Sequence, residues 1–199
     1  MFRTVLFFVL VVGIIGVSTF RGTAADDFKV EEGFQPLFNG KDLTGWQYPG
    51  KKGMALDGKT ETPDKRFEVK DGVVVANAKD ASGKGGIKDL YTMKEFDKDF
   101  ILKLEFRAAS KADSGVYIRG PQLQVRDFIR RNEQKQLTKF KNDDWNELEI
   151  TVKGTEATFT VNGEPLAPAK MKVPARGGIG LQAETGKFEF RRILIKEIN

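Results

Sequence analysis

Tyr117, Arg119, Gln122 and Gln124 are large hydrogen-bonding side chains at alternating positions in the stretch SKADSGVYIRGPQLQVRD, residues 110–127. A strand turns successive side chains to opposite faces. Val116 and Ile118 form an apolar face, continued after the Gly120-Pro121 break by Leu123 and Val125. The polar four lie opposite. Such a face is either a solvated surface or the floor of a sugar site, because ring hydroxyls need many donors and acceptors. Glu105 and Arg107 are two residues apart in KDFILKLEFRAA and share a strand face by the same rule. The bland reading of that pair is an exposed ion-pair neighbourhood, worth about 1 kcal/mol or less.

Absent residue types narrow the chemistry further. The chain has 199 residues and neither Cys nor His. Disulfides and Cys/His zinc sites are excluded. So are a Ser-His-Asp triad and any imidazole acid or base. Chemistry here must use carboxylates, Lys, Tyr, Arg, backbone amides, or a hard metal held by oxygen ligands.

The first 24 residues read as a cleaved secretory signal peptide. Arg3 is the positive start, Val5 to Val17 the apolar core, and Gly22-Thr23-Ala24 the small residues before the cut. An uncleaved anchor is the rival, because the uncharged run from Thr4 to Phe20 just reaches spanning length. The expectation is a secreted or periplasmic protein with no membrane span in the mature chain. Losing Arg3 and Arg21 with the leader lowers the net charge from +5 to +3, too mild to imply nucleic acid. The densest basic stretch, Arg126 to Lys141, reads as a solvated loop or short helix.

The elements that must position these residues are short strands. RFEVK-DG-VVVAN predicts a hairpin turning at Asp71-Gly72, and TFTVNGEPL another at Asn162-Gly163. Leu102, Leu104 and Phe106 predict one inward stripe. Leu148, Ile150 and Val152 predict a second, and Ala157, Phe159 and Val161 a third. Phe188 and Phe190 are out of phase with Ile193 and Ile195, so a β-bulge at Arg191-Arg192 is expected. Ten to twelve such runs with few helix signals predict an all-β fold: a two-sheet antiparallel β-sandwich, or jelly roll. We expect one domain over 33–199, after a short segment at 25–32. Trp46 reads as a structural plug and Trp145 as core edge. Asn39, Gly40 and Asp42 read as turn chemistry.

Six segments, taken together, carry a family resemblance. GFQPLFNGKDLTGWQ opens the series, followed by RFEVKDGVVVA, DFILKLEFRA and DSGVYIRGPQLQV. DWNELEITVKG with TVNGEPL, then GGIGLQ with FRRILI, complete it. In this order they resemble the 3-keto-disaccharide hydrolase domain of bacterial secreted proteins, which is similar to concanavalin- and laminin-G-like jelly rolls. The resemblance spans Gly33 to Ile198. It implies extracytoplasmic work on glycosides oxidised at C3. A ketone at C3 acidifies the C2 proton, so a base can form the enolate and the glycosidic oxygen can leave from C1 before water adds.

On that chemistry Glu105 is the expected base, with Arg107 and Arg119 holding developing negative charge. Tyr117, Gln122, Gln124 and Gln182 would hydrogen-bond the ring. The family pattern carries a glutamate where this chain has Gln122, and a histidine where Ala183-Glu184 follow Gly180 to Gln182. A histidine-dependent metal mechanism is thereby excluded, and two alternatives follow: the activity is lost, or the site shifts to Glu105 and Glu184. The one cofactor considered is a divalent metal, calcium or manganese, on oxygen ligands. Asn142-Asp143-Asp144 are its nearest candidates, otherwise a solvated loop. The expected partner is a carbohydrate. The alternatives to an enzyme are a non-catalytic lectin-like glycan-binding module and a structural envelope domain without a ligand.

Overall fold

The run Phe100–Ala108 buries every second side chain, and that alternation builds the molecule. In the computed structural model the described residues are 28–49 and 53–198; the expected signal peptide lies outside them. Fifteen strands follow in chain order. They are β1 (Gln35–Pro36), β2 (Trp46–Tyr48), β3 (Met54–Ala55), β4 (Phe67–Lys70) and β5 (Val73–Ala76). Next come β6 (Lys88–Thr92), β7 (Phe100–Ala108), β8 (Asp113–Ile118), β9 (Gln122–Arg126) and β10 (Asn146–Lys153). Last are β11 (Glu156–Val161), β12 (Glu164–Pro165), β13 (Met171–Lys172), β14 (Ile179–Ala183) and β15 (Phe188–Glu197). The surplus over the expected ten to twelve is the two-residue pairings β1, β3, β12 and β13.

Two antiparallel sheets carry these strands. The larger runs β12-β11-β10-β7-β15-β5-β4, with β1 on β15 and β13 on β11. The smaller runs β3-β2-β6-β14-β8-β9. The three predicted inward stripes of β7, β10 and β11 are all buried. They meet Leu90, Val116, Ile118, Leu123 and Leu181 of the smaller sheet in one core. Fully burying a side chain of this class is worth about 1.5–3 kcal/mol, so the stripes dictate which face of each strand turns inward. Trp46 is wholly buried, and its indole N–H donates to Leu37 O at 2.8 Å.

Local chemistry sets the turns. Asp71-Gly72 have φ of 50° and 77°, and Asn162-Gly163 have 50° and 77°. Positive φ at both central residues is the two-residue turn that matches strand twist. The register of β15 against β7 shifts between Arg191 and Leu194, with Arg192 at φ 48°. This bulge lets Phe188 and Phe190 share the core with Ile193 and Ile195. At Asn39 the side-chain oxygen accepts from the N–H groups of Lys41 and Asp42, an Asx turn.

The basic stretch 126–141 forms a loop of turns after β9. Phe128 and Leu137 anchor it in the core. Arg130 pairs with Asp127 and Asp143, and Arg131 with Asp113 and Glu133. Its three arginines, Arg126, Arg130 and Arg131, are thus spent on the protein's own carboxylates.

Candidate functional site

The outer face of the smaller sheet is made by the side chains opposite its core stripe. On β6 these are Asp89 and Tyr91, opposite buried Leu90 and Thr92. On β14 they are Gly180 and Gln182; on β8, Asp113, Gly115 and Tyr117; on β9, Gln122, Gln124 and Arg126. Register brings them together: Gln182 lies beside Asp89, Gly180 beside Tyr91 and Tyr117, and Tyr117 beside Gln122.

Hydrogen bonds join these groups into one ladder across β14, β8 and β9, with Asp89 of β6 in register beside Gln182. The Tyr117 hydroxyl faces the Asp89 carboxyl and accepts from Gln182 Nε2 at 3.0 Å. Gln182 Oε1 accepts from Gln122 Nε2 at 2.6 Å. Gln122 Oε1 accepts from Gln124 Nε2 at 3.2 Å, and Gln124 Oε1 from Arg126 Nε at 3.1 Å. Arg126 also binds Asp113 at 2.7 Å and Glu133 at 3.1 Å. Two glycines make room for this layer. A β-carbon on Gly115 would meet Gln122, and one on Gly180 would meet the Tyr91 ring at 2.6 Å. The Tyr91 and Tyr117 rings stand 5.2 Å apart.

Electrostatics single out the β6 end. Burial pushes the Asp89 carboxyl above its ordinary value, against the opposing effects of the Tyr117 hydroxyl and Lys88. Its Oδ1 is shielded from solvent and has no hydrogen-bond partner. Burial, then the Asp89 charge, pushes the Tyr117 phenol up to about 12. Tyr91 is raised by burial and by Asp89 as well. At the far end of β14, burial and then Asp113 raise the Glu184 carboxyl. Asp89, a carboxyl held above its usual range beside a tyrosine that keeps its proton, is a group suited to proton transfer.

Tyr117, Gln122, Gln124, Gln182 and Glu184 are therefore brought to one region, and three other expected residues are not. Glu105 and Arg107 lie on the outer face of the larger sheet, across the core from the ladder. The expectation that Glu105 and Arg107 act on the same sugar as Tyr117 and the glutamines is corrected by this separation. Period-two alternation places a residue on a face of its own strand, but does not say which sheet that strand joins. Glu105 is clamped by Arg191 at 2.6 Å and Arg192 at 2.5 Å. Arg107 binds Glu189 at 2.6 Å. The guanidiniums of Arg107 and Arg191 stack on the Trp145 ring, 4.7 and 4.1 Å from its centre. Trp145 thus belongs to this outer ion-pair lattice and not to the core edge.

Arg119 is the third correction. It sits at φ 53° in the β8–β9 turn and is 3% exposed. Its guanidinium donates to the carbonyls of Lys98, Gly154 and Pro174 and lies over Phe100. The positive φ breaks the alternation, so the side chain plugs the open end of the sandwich and leaves the Tyr117 face.

Sequence reasoning passed over Asp89, Tyr91, Asp113 and Arg126. The signal in KDLYT was there, with Asp89 and Tyr91 alternating against Leu90 and Thr92. Five residues after a Gly- and Lys-rich segment were too few to stand out as a strand.

The acidic loop does not fit a divalent cation. Arg130 takes both Asp143 oxygens, at 2.7 and 3.1 Å, and Asp144 Oδ1 accepts from Trp145 N at 2.7 Å. Among the described residues no three acidic side chains converge on a metal-sized point. Nor is any helix among the described residues long and apolar enough to cross a membrane.

Comparison with known proteins agrees with this architecture. Residues 33–196 match the model of the 3-keto-alpha-glucoside-1,2-lyase-like domain. No curated protein matches the chain. Among solved structures, the fold is shared with two proteins of Parabacteroides distasonis provisionally named glycosyl hydrolases. The first is 21% identical with a TM-score of 0.62, over 84% of this chain and 95% of that one. The second is 18% identical with a TM-score of 0.61, over 83% and 99%. The carbohydrate binding module CBM66 of Bacillus subtilis is 10% identical with a TM-score of 0.51, over 77% and 96%.

Proposed function

From the premise that this chain belongs to the 3-keto-alpha-glucoside-1,2-lyase-like domain family, a carbohydrate-active family, we propose that it cleaves 3-keto-glycosides by elimination at the outer face of the smaller sheet. The observation that carries this reading is the shielded, unpartnered Oδ1 of Asp89, in register with Gln182, whose amide bonds the Tyr117 hydroxyl. Asp89 takes the C2 proton, which the C3 ketone has acidified. The electrons of that bond form the C1=C2 double bond as the C1–O bond breaks. Tyr117, a phenol pushed up to about 12, is matched to the departing alkoxide and gives it a proton. The proton on Asp89 then returns to Tyr117 across their contact, and both groups are reset. Water adding across the double bond completes a net hydrolysis.

The amides serve the developing enolate. Each primary amide carries two N–H groups, and the ladder uses one from Gln182 and one from Gln122. The second N–H of Gln122 is a donor for ring hydroxyls or the C3 oxygen, while Gln182, 2% exposed, holds Gln122 and Tyr117 in place. Such fixed dipoles act without reorganising. Glu184 adds a half-buried carboxyl to the same face. The leader pattern in residues 1–24 supports an extracytoplasmic setting for this chemistry.

One experiment tests the reading. Purified protein is incubated with a 3-keto-glucoside bearing a chromogenic aglycone. Release of the aglycone, with transient absorbance of the conjugated enone, is expected. Release should vanish in Asp89→Asn. If wild-type protein releases no aglycone, the elimination reading fails. The amide-rich face of Gln122, Gln124 and Gln182, which cannot exchange protons as an acid or base, then favours a glycan-binding module that does not cleave.

A further inference from the structure

Past Gln182, the outer face of the smaller sheet ends in a cluster of charge. Arg126 binds Asp113 at 2.7 Å and Glu133 at 3.1 Å. Arg131 binds the same two carboxylates, at 3.2 and 3.1 Å, and donates to Lys111 O. Glu184 is a third carboxyl beside these two arginines, which act on it only through space while Asp113 opposes them. It is half-buried, and among the described residues no group hydrogen-bonds its carboxyl. Local backbone explains its freedom. Leu181 pairs with Val116, but Thr185, and not Glu184, pairs with Asp113. The register slips by one residue, and a bulge of this kind re-aims a side chain instead of pairing its backbone.

We propose that Glu184 determines specificity at C6 of the keto sugar, accepting a hydroxymethyl group there and shutting out a carboxylate. The proposal rests on the elimination reading for the placement of C2 at Asp89. Distance carries the first argument. Asp89 and Gln182 are in register, and Glu184 stands two residues beyond Gln182. One strand spacing of about 4.8 Å and two residues of about 3.4 Å put about 8 Å between the backbones of Asp89 and Glu184. C2 and C5, which carries C6, lie across the pyranose ring from each other, so the two carboxyls can flank one ring. Chemistry carries the second. A half-buried carboxylate without a donor leaves its oxygens poorly satisfied, and a ligand hydroxyl supplies that donor. Charge carries the third. Both nearby guanidiniums are engaged by Asp113 and Glu133, so neither is free to receive an anionic sugar. A uronate would face Glu184 directly, with Asp113 behind it.

Methyl 3-keto-glucoside and methyl 3-keto-glucuronide differ only at C6, and each is presented to the purified protein. Where both are turned over, preference is the ratio of their kcat/KM values; where they bind without product, it is the ratio of their Kd values. Wild type should prefer the glucoside by about tenfold or more, the effect of one like-charge contact. Glu184→Gln keeps the shape and removes the charge, and should bring the ratio towards unity. Glu184→Lys, the second variant, should reverse it. Because each ratio is read within one protein, a general loss of folded material cancels.

An unchanged ratio in Glu184→Gln, or an equal loss on both sugars, overturns the proposal. So does a wild-type protein that binds neither sugar. Product is read in the same samples, so the two ideas separate. A ratio that follows the charge at position 184, without product, leaves the C6 assignment standing and removes the elimination reading. Product with a ratio indifferent to Glu184 does the reverse.

Discussion

Gln122 lies across Gly115 so closely that a β-carbon on the glycine would sit 1.9 Å from Nε2 and 2.6 Å from Cγ. The whole glutamine side chain, not only its tip, occupies the space a larger residue would need. Gly115→Ala must therefore swing Gln122 off the sheet and break its 2.6 Å bond to Gln182. Losing one hydrogen bond costs about 1 kcal/mol, and replacing a strand glycine returns about 0.5–1 kcal/mol. Stability should hardly change, while glycan affinity or turnover falls about tenfold, on the scale of one lost oriented polar contact. Thermal melting paired with a kinetic or binding titration checks this. An unaltered titration would show that Gln122 does not touch the ligand.

Glu105→Gln should be nearly silent in catalysis. Its carboxylate is held by Arg191 and Arg192 on the far sheet, with side chains only 20–25% exposed. Such partly solvated pairs are worth about 1 kcal/mol or less. The variant should show a small drop in denaturation midpoint and a kcat/KM within about twofold of wild type. A collapse of turnover in folded Glu105→Gln protein would return the chemistry to the larger sheet.

How far the sequence reaches is clear from this pair of residues. The stripes Leu102-Leu104-Phe106 and Leu148-Ile150-Val152 announce their inward faces, because burial energy is read off a period of two. The Arg191-Arg192 bulge is legible for the same reason, as a phase slip between two apolar pairs. What periodicity does not carry is strand order. Glu105 and Tyr117 both point outward, but β7 joins one sheet and β8 the other, and only long-range pairing decides that. Arg119 escapes alternation through its positive φ, which a sequence pattern marks only faintly by the neighbouring Gly120-Pro121. The amide row was legible because three glutamines on two strands face the same way. Asp89 was not, because its strand is short and follows a Gly- and Lys-rich segment.

Arg119 should prove a stability residue. It is buried, burial pulls its guanidinium below the ordinary value, and three backbone carbonyls depend on it. Arg119→Met leaves those carbonyls without donors, at a cost of roughly 3 kcal/mol or more. Arg119→Lys should recover only part of this, since one ammonium cannot copy a planar fork reaching Lys98, Gly154 and Pro174. Urea denaturation of both variants measures the cost. Per folded molecule, turnover should remain at the wild-type level. A stable but inactive Arg119→Lys would place the residue in the site after all.

Asp89 links activity to stability through pH, with opposite signs. Burial holds its folded carboxyl above 3.8. The native state therefore binds this proton more tightly than the unfolded chain does. Stability contributed by Asp89 falls as pH rises from its unfolded value through its raised folded value, and at neutral pH the charged group is a net cost. Glu184, raised for the same first reason, adds a slope of the same sign. Asp89→Asn should remove part of that slope, make the protein more stable at pH 7 than wild type, and abolish elimination. In wild type the acidic limb of kcat/KM should lie above the ordinary aspartate range, because only ionised Asp89 can accept the C2 proton. Denaturation midpoints of both proteins, followed upward from below the ordinary aspartate value of about 3.9, give the first half of the test. The pH–rate profile gives the second. If Asp89→Asn lowers stability at neutral pH, or leaves turnover intact, Asp89 is an ordinary hydrogen-bonded surface carboxylate and the base must be sought in Glu184.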